Sequence, residues 1–286
     1  MMNIGYLGPK GSFSEEALQL FLTTQSDLLE PPLNLIPFTT IPKLLIACQN
    51  LEIEGAFVPL ENSTEGQVGV TMDMLGQTES LYIMREFIFP VDQCLITAQP
   101  LHLAQIKQVY SHEQALGQCR DFLETHLAQA EQHSSPSTAE AVTKIAQNPD
   151  QPWAAIGPRR AAEIYNLHCK SEKIQDSMLN ATRFIFVGHH LAEMNEEDKT
   201  SLLIITGDTP GALAHALQEF ALRNINLSRI ESRPSKKKLG EYVFFVDIDG
   251  YVFSPSIQEA LWALKDKGVS TKLLGSYPKA KLSAKE

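Results

Sequence analysis

The chain has 286 residues, 43% hydrophobic and 20% charged, with a net charge of −10, a balance typical of a globular protein with length enough for two domains. No basic stripe marks a nucleic-acid binder, no apolar run approaches the ~20 residues that span a bilayer, and the start MMNIGYLGPKGS lacks the basic-then-apolar order of a secretory signal. Cys48, Cys94, Cys119 and Cys169 are scattered without a C-x-x-C pair, which predicts reduced thiols in the cytoplasm and no metal site.

In chain order, strand Asn3–Leu7 is followed by GYLGPKGSFS and a helix over Ser14–Leu22. The glycines there match no nucleotide-binding spacing; they suit either an anion cradle at a helix N-terminus or a turn capped by Ser12 or Ser14. Strand Leu33–Phe38, helix Thr40–Gln49 and strand Gly55–Leu60 come next. VPLENSTEG then places Glu61, Asn62, Ser63, Thr64 and Glu65 before a helix over Gly66–Leu75. One of these could cap that helix, but five polar side chains exceed a cap and suggest a site. Two apolar runs, Leu81–Val91 and Gln93–Ala98, interrupt the alternation.

Strand Lys107–Ser111 opens SHEQALGQC and a helix over Glu113–Leu127, with Ser111 as N-cap and Gln114 as its capping-box partner. Gln118 shares a helix face with Gln114, and His112 reads as exposed. Then come a weak strand Glu131–Ser134, helix Thr138–Gln147 capped by Ser137, strand Trp153–Gly157 and helix Pro158–Tyr165. LNATRFIFVG puts Asn180, Thr182 and Arg183 at the mouth of a buried strand, Phe184–Val187. Alternating β and α elements argue for parallel sheets covered by helices, and the break near 81–98 splits them into two lobes. The polar clusters follow strands, where ligands of open α/β sheets bind.

The polar segment His189–Ser201 reads as a linker. Beyond it, strand Ser201–Thr206, helix Gly211–Arg223, strands Leu227–Arg233 and Glu241–Asp249, helix Ser256–Lys267 and strand Val269–Leu274 give a βαββαβ, ferredoxin-like order. Lys236–Lys238 would form a solvated hairpin tip. The first 188 residues carry 11 basic and 21 acidic side chains, and the last 98 carry 13 of each.

The ordered motifs GPKGSFS, PLENSTEG, SHEQALGQC, STAEA and NATRF resemble prephenate dehydratases across Asn3 to about Tyr277, and GALA with INLSRIESRP resembles their ACT regulatory domain. The resemblance implies an α/β fold: a two-lobed, periplasmic-binding-protein-like catalytic domain over 1–188 (lobe one about 1–78 and 178–188, lobe two about 79–177). A linker over 189–199 and a ferredoxin-like ACT domain over 200–286 would follow. With no chorismate mutase segment ahead of Met1, the expected form is monofunctional. It implies conversion of prephenate to phenylpyruvate, water and carbon dioxide without a cofactor or metal. It also implies regulation by phenylalanine, a homodimer or homotetramer, and no nucleic-acid or membrane partner. Thr182 would assist departure of the ring hydroxyl, with Glu61 the alternative acid. Asn62, Ser63, Ser111, Gln118, Thr138, Arg183 and Phe184 would bind substrate. Gly211, Ala212, Leu213 and Ala214, with Glu231, Ser232, Arg233 and Pro234, would bind the effector. Glu113, Ala214 and Val142 depart from the family's usual Pro, Val and Ala. Arogenate dehydratase and a non-catalytic carboxylate sensor are the competing readings.

Overall fold

The computed structural model describes residues 2–25, 32–235 and 241–280; the Lys236–Lys238 tip lies outside them. Contacts divide the chain into two units, Met1–Leu44 with Phe57–Gln67 and Phe89–Phe184, and Leu45–Ala56 with Val68–Ile88 and Ile185–Glu286. The elements before residue 100 are β1 (Met2–Leu7), α1 (Phe13–Thr24), β2 (Leu33–Phe38), α2 (Ile41–Gln49), β3 (Gly55–Asn62), β4 (Gly66–Gln67), α3 (Gly69–Gln77), β5 (Tyr82–Pro90) and β6 (Cys94–Thr97). Then follow β7 (Gln108–Ser111), α4 (Glu113–Gln118), α5 (Arg120–His126), β8 (Glu131–Ser134), α6 (Thr138–Gln147), β9 (Trp153–Gly157), α7 (Arg159–Ile164), β10 (His168–Ser171) and β11 (Ala181–Gly188). The last elements are β12 (Asp198–Ile205), α8 (Ala212–Ala221), β13 (Leu227–Pro234), β14 (Tyr242–Asp249), α9 (Pro255–Asp266) and β15 (Ser270–Pro278). Among the described residues no helix is long and apolar enough to cross a membrane.

The first unit holds two sheets. In one, β11, β3, β1 and β2 lie side by side, with β4 folded back on β3. Its core is aromatic: Phe184 stacks on Phe57 at 4.8 Å and meets Phe89 edge-on at 6.4 Å. The other sheet runs β10-β6-β9-β7-β8, parallel between β9, β7 and β8 and antiparallel around β6. Strand β10, only four residues of mixed polarity, has no alternation strong enough to read from sequence.

Several boundaries moved for identifiable reasons. Ser12, not Ser14, caps α1, accepting from the Glu15 amide at 3.3 Å. Helix α3 starts at Gly69 with no side-chain cap, because residues 63–65 turn β3 back into β4 instead of opening a helix. The predicted helix over 113–127 is two helices broken at Cys119. The Asp176 amide takes the Gln118 carbonyl at 2.7 Å, and the Asp176 carboxylate accepts from the first amides of α5, Arg120 and Asp121, both at 3.1 Å. His112, not Ser111, is the N-cap of α4, its Nδ1 accepting from the Gln114 amide.

In the second unit the order β12-α8-β13-β14-α9-β15 forms the expected ferredoxin-like sheet, β13-β14-β12-β15, with β5 beside β15. Strand β12 starts at Asp198, inside the expected linker, because Lys199 reaches the buried Glu86 carboxylate at 2.9 Å. Helix α3 belongs to this unit. Lys272 of β15 donates to the carbonyls of Leu75 at 2.9 Å and Gly76 at 3.0 Å, a cation at a helix C-terminus where the macrodipole favours one.

Candidate active site

The site is organised by a turn. Where β3 ends, the Asn62 Oδ1 accepts from the backbone amides of Thr64 at 2.9 Å and Glu65 at 3.0 Å. Backbone amides only donate, so this Asx turn fixes which end of the Asn62 side chain is oxygen. Its Nδ2 must then donate on the other side, and it does, to Thr182 Oγ1 at 2.9 Å, Asn180 Oδ1 at 3.0 Å and the Ala181 carbonyl at 3.3 Å. The polarity propagates. Asn180 Nδ2 donates to Gln118 Oε1 at 3.0 Å, Gln93 Nε2 to the same oxygen at 3.3 Å, and Gln118 Nε2 to Glu65 Oε1 at 3.4 Å. Because Thr182 Oγ1 accepts a hydrogen bond from Asn62, its own hydroxyl hydrogen is available to another acceptor.

Thr182, Asn62, Asn180, Gln93, Gln118 and Thr138 line one cavity of about 320 Å³. An adjoining cavity of about 670 Å³ shares His112, Gln114, Gln118 and Asn180 and carries Glu65, Glu113 and Asp176 on its walls. No Asp, Glu, Lys or Arg is among the described residues lining the smaller cavity. What it has instead are helix starts: Phe13 is the first residue of α1, and Ser137 and Thr138 are the N-cap and first residue of α6. Each brings the partial positive charge of unpaired amide groups. The absence of a side chain at Gly157 lets α6 approach β9 so closely, since a Cβ there would lie 3.0 Å from Val142 and 3.3 Å from the Thr138 carbonyl.

The structure brings Thr182, Asn62, Gln118 and Thr138 together. It sorts the other expected residues elsewhere. Ser111 is fully buried and its hydroxyl donates to the Ile156 carbonyl at 2.6 Å, so the hydroxyl is spent inside the sheet. Phe184 is core, 2% exposed between Phe57 and Phe89. Ser63 is a strap: its hydroxyl donates to the Leu179 carbonyl at 2.8 Å and accepts from the Ala181 amide at 2.9 Å. Arg183 and Glu61 do not line either cavity; each neighbours a lining residue along its strand, and side chains alternate between faces. The GPKGSFS loop is not an open anion cradle, because the buried Glu15 carboxylate already accepts from the Gly11 amide at 2.5 Å.

Asn180, Gln93, Ser137 and Phe13 are lining residues that the sequence reading did not assign to the site. For Asn180 the signal was available, since it stood in the polar stretch before β11; Gln93 sits inside an apolar run with no pattern to distinguish it. Beside the site, burial and then the nearby Asp176 push the Cys119 thiol up to about 12, which makes it a poor nucleophile.

In the second unit, Gly211, Ala212, Leu213 and Ala214 line a cavity of about 230 Å³ with Asp208, Glu241, Tyr242 and Phe244. Gly211 has φ 82°, a left-handed turn into α8 that favours glycine. Glu231, Ser232, Arg233 and Pro234 lie on β13 and do not line that cavity. Arg233 is instead forked onto Asp73 of α3, Nε to Oδ1 at 2.7 Å and Nη2 to Oδ2 at 3.0 Å.

A neutral, amide- and hydroxyl-lined cavity in an α/β unit, on a chain that also carries a ferredoxin-like βαββαβ unit, marks a small-molecule-binding protein with a second, appended domain. The prephenate dehydratase family model matches residues 4–192 and the ACT domain model matches 200–252. The chain is 37% identical over 281 residues to the bifunctional chorismate mutase/prephenate dehydratase of Neisseria gonorrhoeae, covering 98% of this chain and 75% of the relative. It is 37% identical to the prephenate dehydratase of Methanocaldococcus jannaschii, over 96% of this chain and 97% of that one. The crystal structure of an Arthrobacter aurescens prephenate dehydratase in complex with L-Phe superposes with a TM-score of 0.86 at 34% identity, over 97% of this chain and 90% of that one. The chain therefore belongs to the prephenate dehydratase family, a lyase family, and carries an ACT domain.

Proposed function

We propose that Thr182 is the group that assists loss of the ring hydroxyl as this chain converts prephenate to phenylpyruvate, water and carbon dioxide. The observation that carries the assignment is the Asn62-to-Thr182 hydrogen bond at 2.9 Å, which leaves the threonine hydrogen for the substrate. In the reaction the bond from the ring carbon to its hydroxyl breaks, and so does the bond from the ring to its carboxylate. The electron pair freed by carbon dioxide completes the aromatic ring, and the leaving oxygen departs as water with a proton delivered from solvent. Thr182 remains neutral; it donates a hydrogen bond to oxygen as negative charge grows there, an effect worth on the order of 10²–10⁴-fold. The start of α6 receives a carboxylate, while the neutral wall strips water from the one that is lost. Glu61 lies off the cavity lining, which favours Thr182 over it.

The catalytic part spans 1–188, with lobes over about 1–78 plus 178–188 and about 79–177, followed by a linker from 189 to the start of β12 at Asp198 and then the ACT domain to 286. Phenylalanine acts as effector at Gly211–Ala214 of one protomer together with Glu231–Pro234 of a second, in a cytoplasmic homodimer or homotetramer. Within one chain Glu231, Ser232 and Arg233 do not line the Gly211–Ala214 cavity, which supports this pairing. Replacing Thr182 by Val should lower kcat for phenylpyruvate formation at saturating prephenate by about 10²-fold or more. A Thr182→Val enzyme with near-normal kcat refutes the assignment. A faster kcat/KM with arogenate than with prephenate refutes the choice of substrate.

A further inference from the structure

We infer that Asn180 is a positioning residue for catalysis, acting through Asn62 on Thr182. The inference rests on the assignment of Thr182 above. Asn180 is 4% exposed, and both ends of its amide are used in opposite senses: Oδ1 accepts from Asn62 and Nδ2 donates to Gln118. Its backbone is pinned as firmly. The Val91 amide donates to the Asn180 carbonyl at 2.9 Å, and the next residue, Ala181, is held by Ser63 in both directions at 2.9 Å. A side chain this constrained cannot drift to a new partner, so it transmits a fixed geometry.

The direction of transmission follows from the Asx turn. Asn62 can offer only its two Nδ2 hydrogens on the side facing Asn180 and Thr182, since its oxygen is committed to the backbone. Asn180 Oδ1 takes one hydrogen, and that contact sets the amide plane in which the other points at Thr182 Oγ1. Without it the longer Asn62 contact to the Ala181 carbonyl, at 3.3 Å, is free to shorten and turn the amide, and the Thr182 hydroxyl is no longer forced to present its hydrogen outward. Asn180 therefore contributes to the rate by fixing where a proton points. Positioning of this kind is sensitive to shifts well below 1 Å.

The test is a double-mutant cycle between Asn180→Leu and Thr182→Val, read as single-turnover kcat and KM for prephenate. Asn180→Leu is expected to lower kcat about 10-fold or more in the wild-type background, with KM changed less than about threefold. In the Thr182→Val background it should lower kcat less than about threefold, because the group it positions is gone. Equal losses in both backgrounds overturn the inference, because a general structural defect would act on both alike. A raised KM with unchanged kcat also overturns it, since that marks direct substrate binding. The isosteric Asn180→Asp keeps the acceptor for Asn62 and loses the donor to Gln118. It should retain more kcat than Asn180→Leu, and a larger kcat loss would refute the role. If Asn180→Leu does not fold, the same cycle with Asn180→Ala, which also removes the acceptor for Asn62, applies, and again only a smaller effect beside Thr182→Val supports the inference. Wild-type phenylpyruvate formation and the Thr182→Val single variant test the assignment on which this rests separately from Asn180.

Discussion

The Arg233–Asp73 fork should hold helix α3 to the regulatory sheet, and Asp73→Ala should release it. The two side chains are 24% and 15% exposed, so water screens the pair only partly. Two charge-assisted hydrogen bonds, one from Nε at 2.7 Å and one from Nη2 at 3.0 Å, tie strand to helix in the bidentate geometry that suits guanidinium and carboxylate. Removing the carboxylate strands a partly buried cation, and the cost works out at about 2–4 kcal/mol. Asp73→Asn keeps one acceptor and should lose roughly half as much. Replacing both partners by Leu should recover most of the loss, because neither then leaves an uncompensated charge. Urea unfolding followed by circular dichroism measures all three. A loss below about 0.5 kcal/mol in Asp73→Ala, or a double variant no better than the single, refutes this account. The fork also bears on regulation. Arg233 lies in the segment assigned to the effector, and Asp73 lies on the helix that the chain enters directly after the Asn62 turn. Phenylalanine titrations of Asp73→Ala should therefore show weakened inhibition, and an unchanged half-inhibitory concentration excludes the fork from the coupling.

The four thiols should react very unequally with Ellman's reagent near pH 8. Cys169 is partly exposed, and its hydrogen bond with Cys94 holds it below the ordinary thiol value, whereas burial pushes Cys48 and Cys119 up to about 12. One rapid equivalent assigned to Cys169 by mass spectrometry is expected, with the others released by denaturant; rapid labelling of Cys48 or Cys119 would contradict their burial. Acid should loosen the regulatory unit through Glu219. Lys267, then Arg223, hydrogen-bond its carboxylate and hold its pKa below the ordinary value. A depressed carboxylate stabilises the fold above its unfolded pKa, and that stabilisation is lost as pH falls through the folded one. Urea midpoints should fall more steeply below about pH 4.5 in the wild type than in Glu219→Gln, and parallel profiles would show that this pair contributes nothing.

The regulatory half was the more legible in sequence. Its helices and strands alternate polarity cleanly, and Asp208-Thr209-Pro210 marks the start of its first helix, so the βαββαβ order could be read before the sheet was known. In the first unit the motifs were visible but their facing was not. Along β11, Thr182, Arg183 and Phe184 are consecutive, and the sequence reading took the first as the catalytic group and the other two as substrate contacts. A strand allows only alternate residues on one face, and aromatic packing on Phe57 and Phe89 then claims Phe184. Likewise Ser111 is adjacent to a helix start, yet the register of β7 beside β9 turns its hydroxyl onto Ile156. The helix break at Cys119 depends on Asp176, 57 residues away, and no local pattern carries such a contact. Asn62 stood out in its motif and lines the smaller cavity, but its command over the network comes from an Asx turn that needs the backbone geometry of residues 63–65.

The neutral wall of the smaller cavity bears on why such a site uses amides and a hydroxyl. One of the two substrate carboxylates becomes uncharged carbon dioxide, so its charge disperses as the reaction proceeds. A guanidinium forked onto that carboxylate would hold the ground state more tightly than the transition state, and only interactions that strengthen on the way to the transition state raise kcat. Helix starts attract the dianion more weakly than a full cation does, and fixed amide dipoles at the leaving oxygen are most effective where charge grows. On this argument, Arg183 facing away from the Thr182 cavity is consistent with fast chemistry, and introducing a cation there should tighten prephenate binding while slowing turnover. Thr138→Lys tests this directly: KM and kcat should both fall, and a variant whose kcat rises would refute the reasoning.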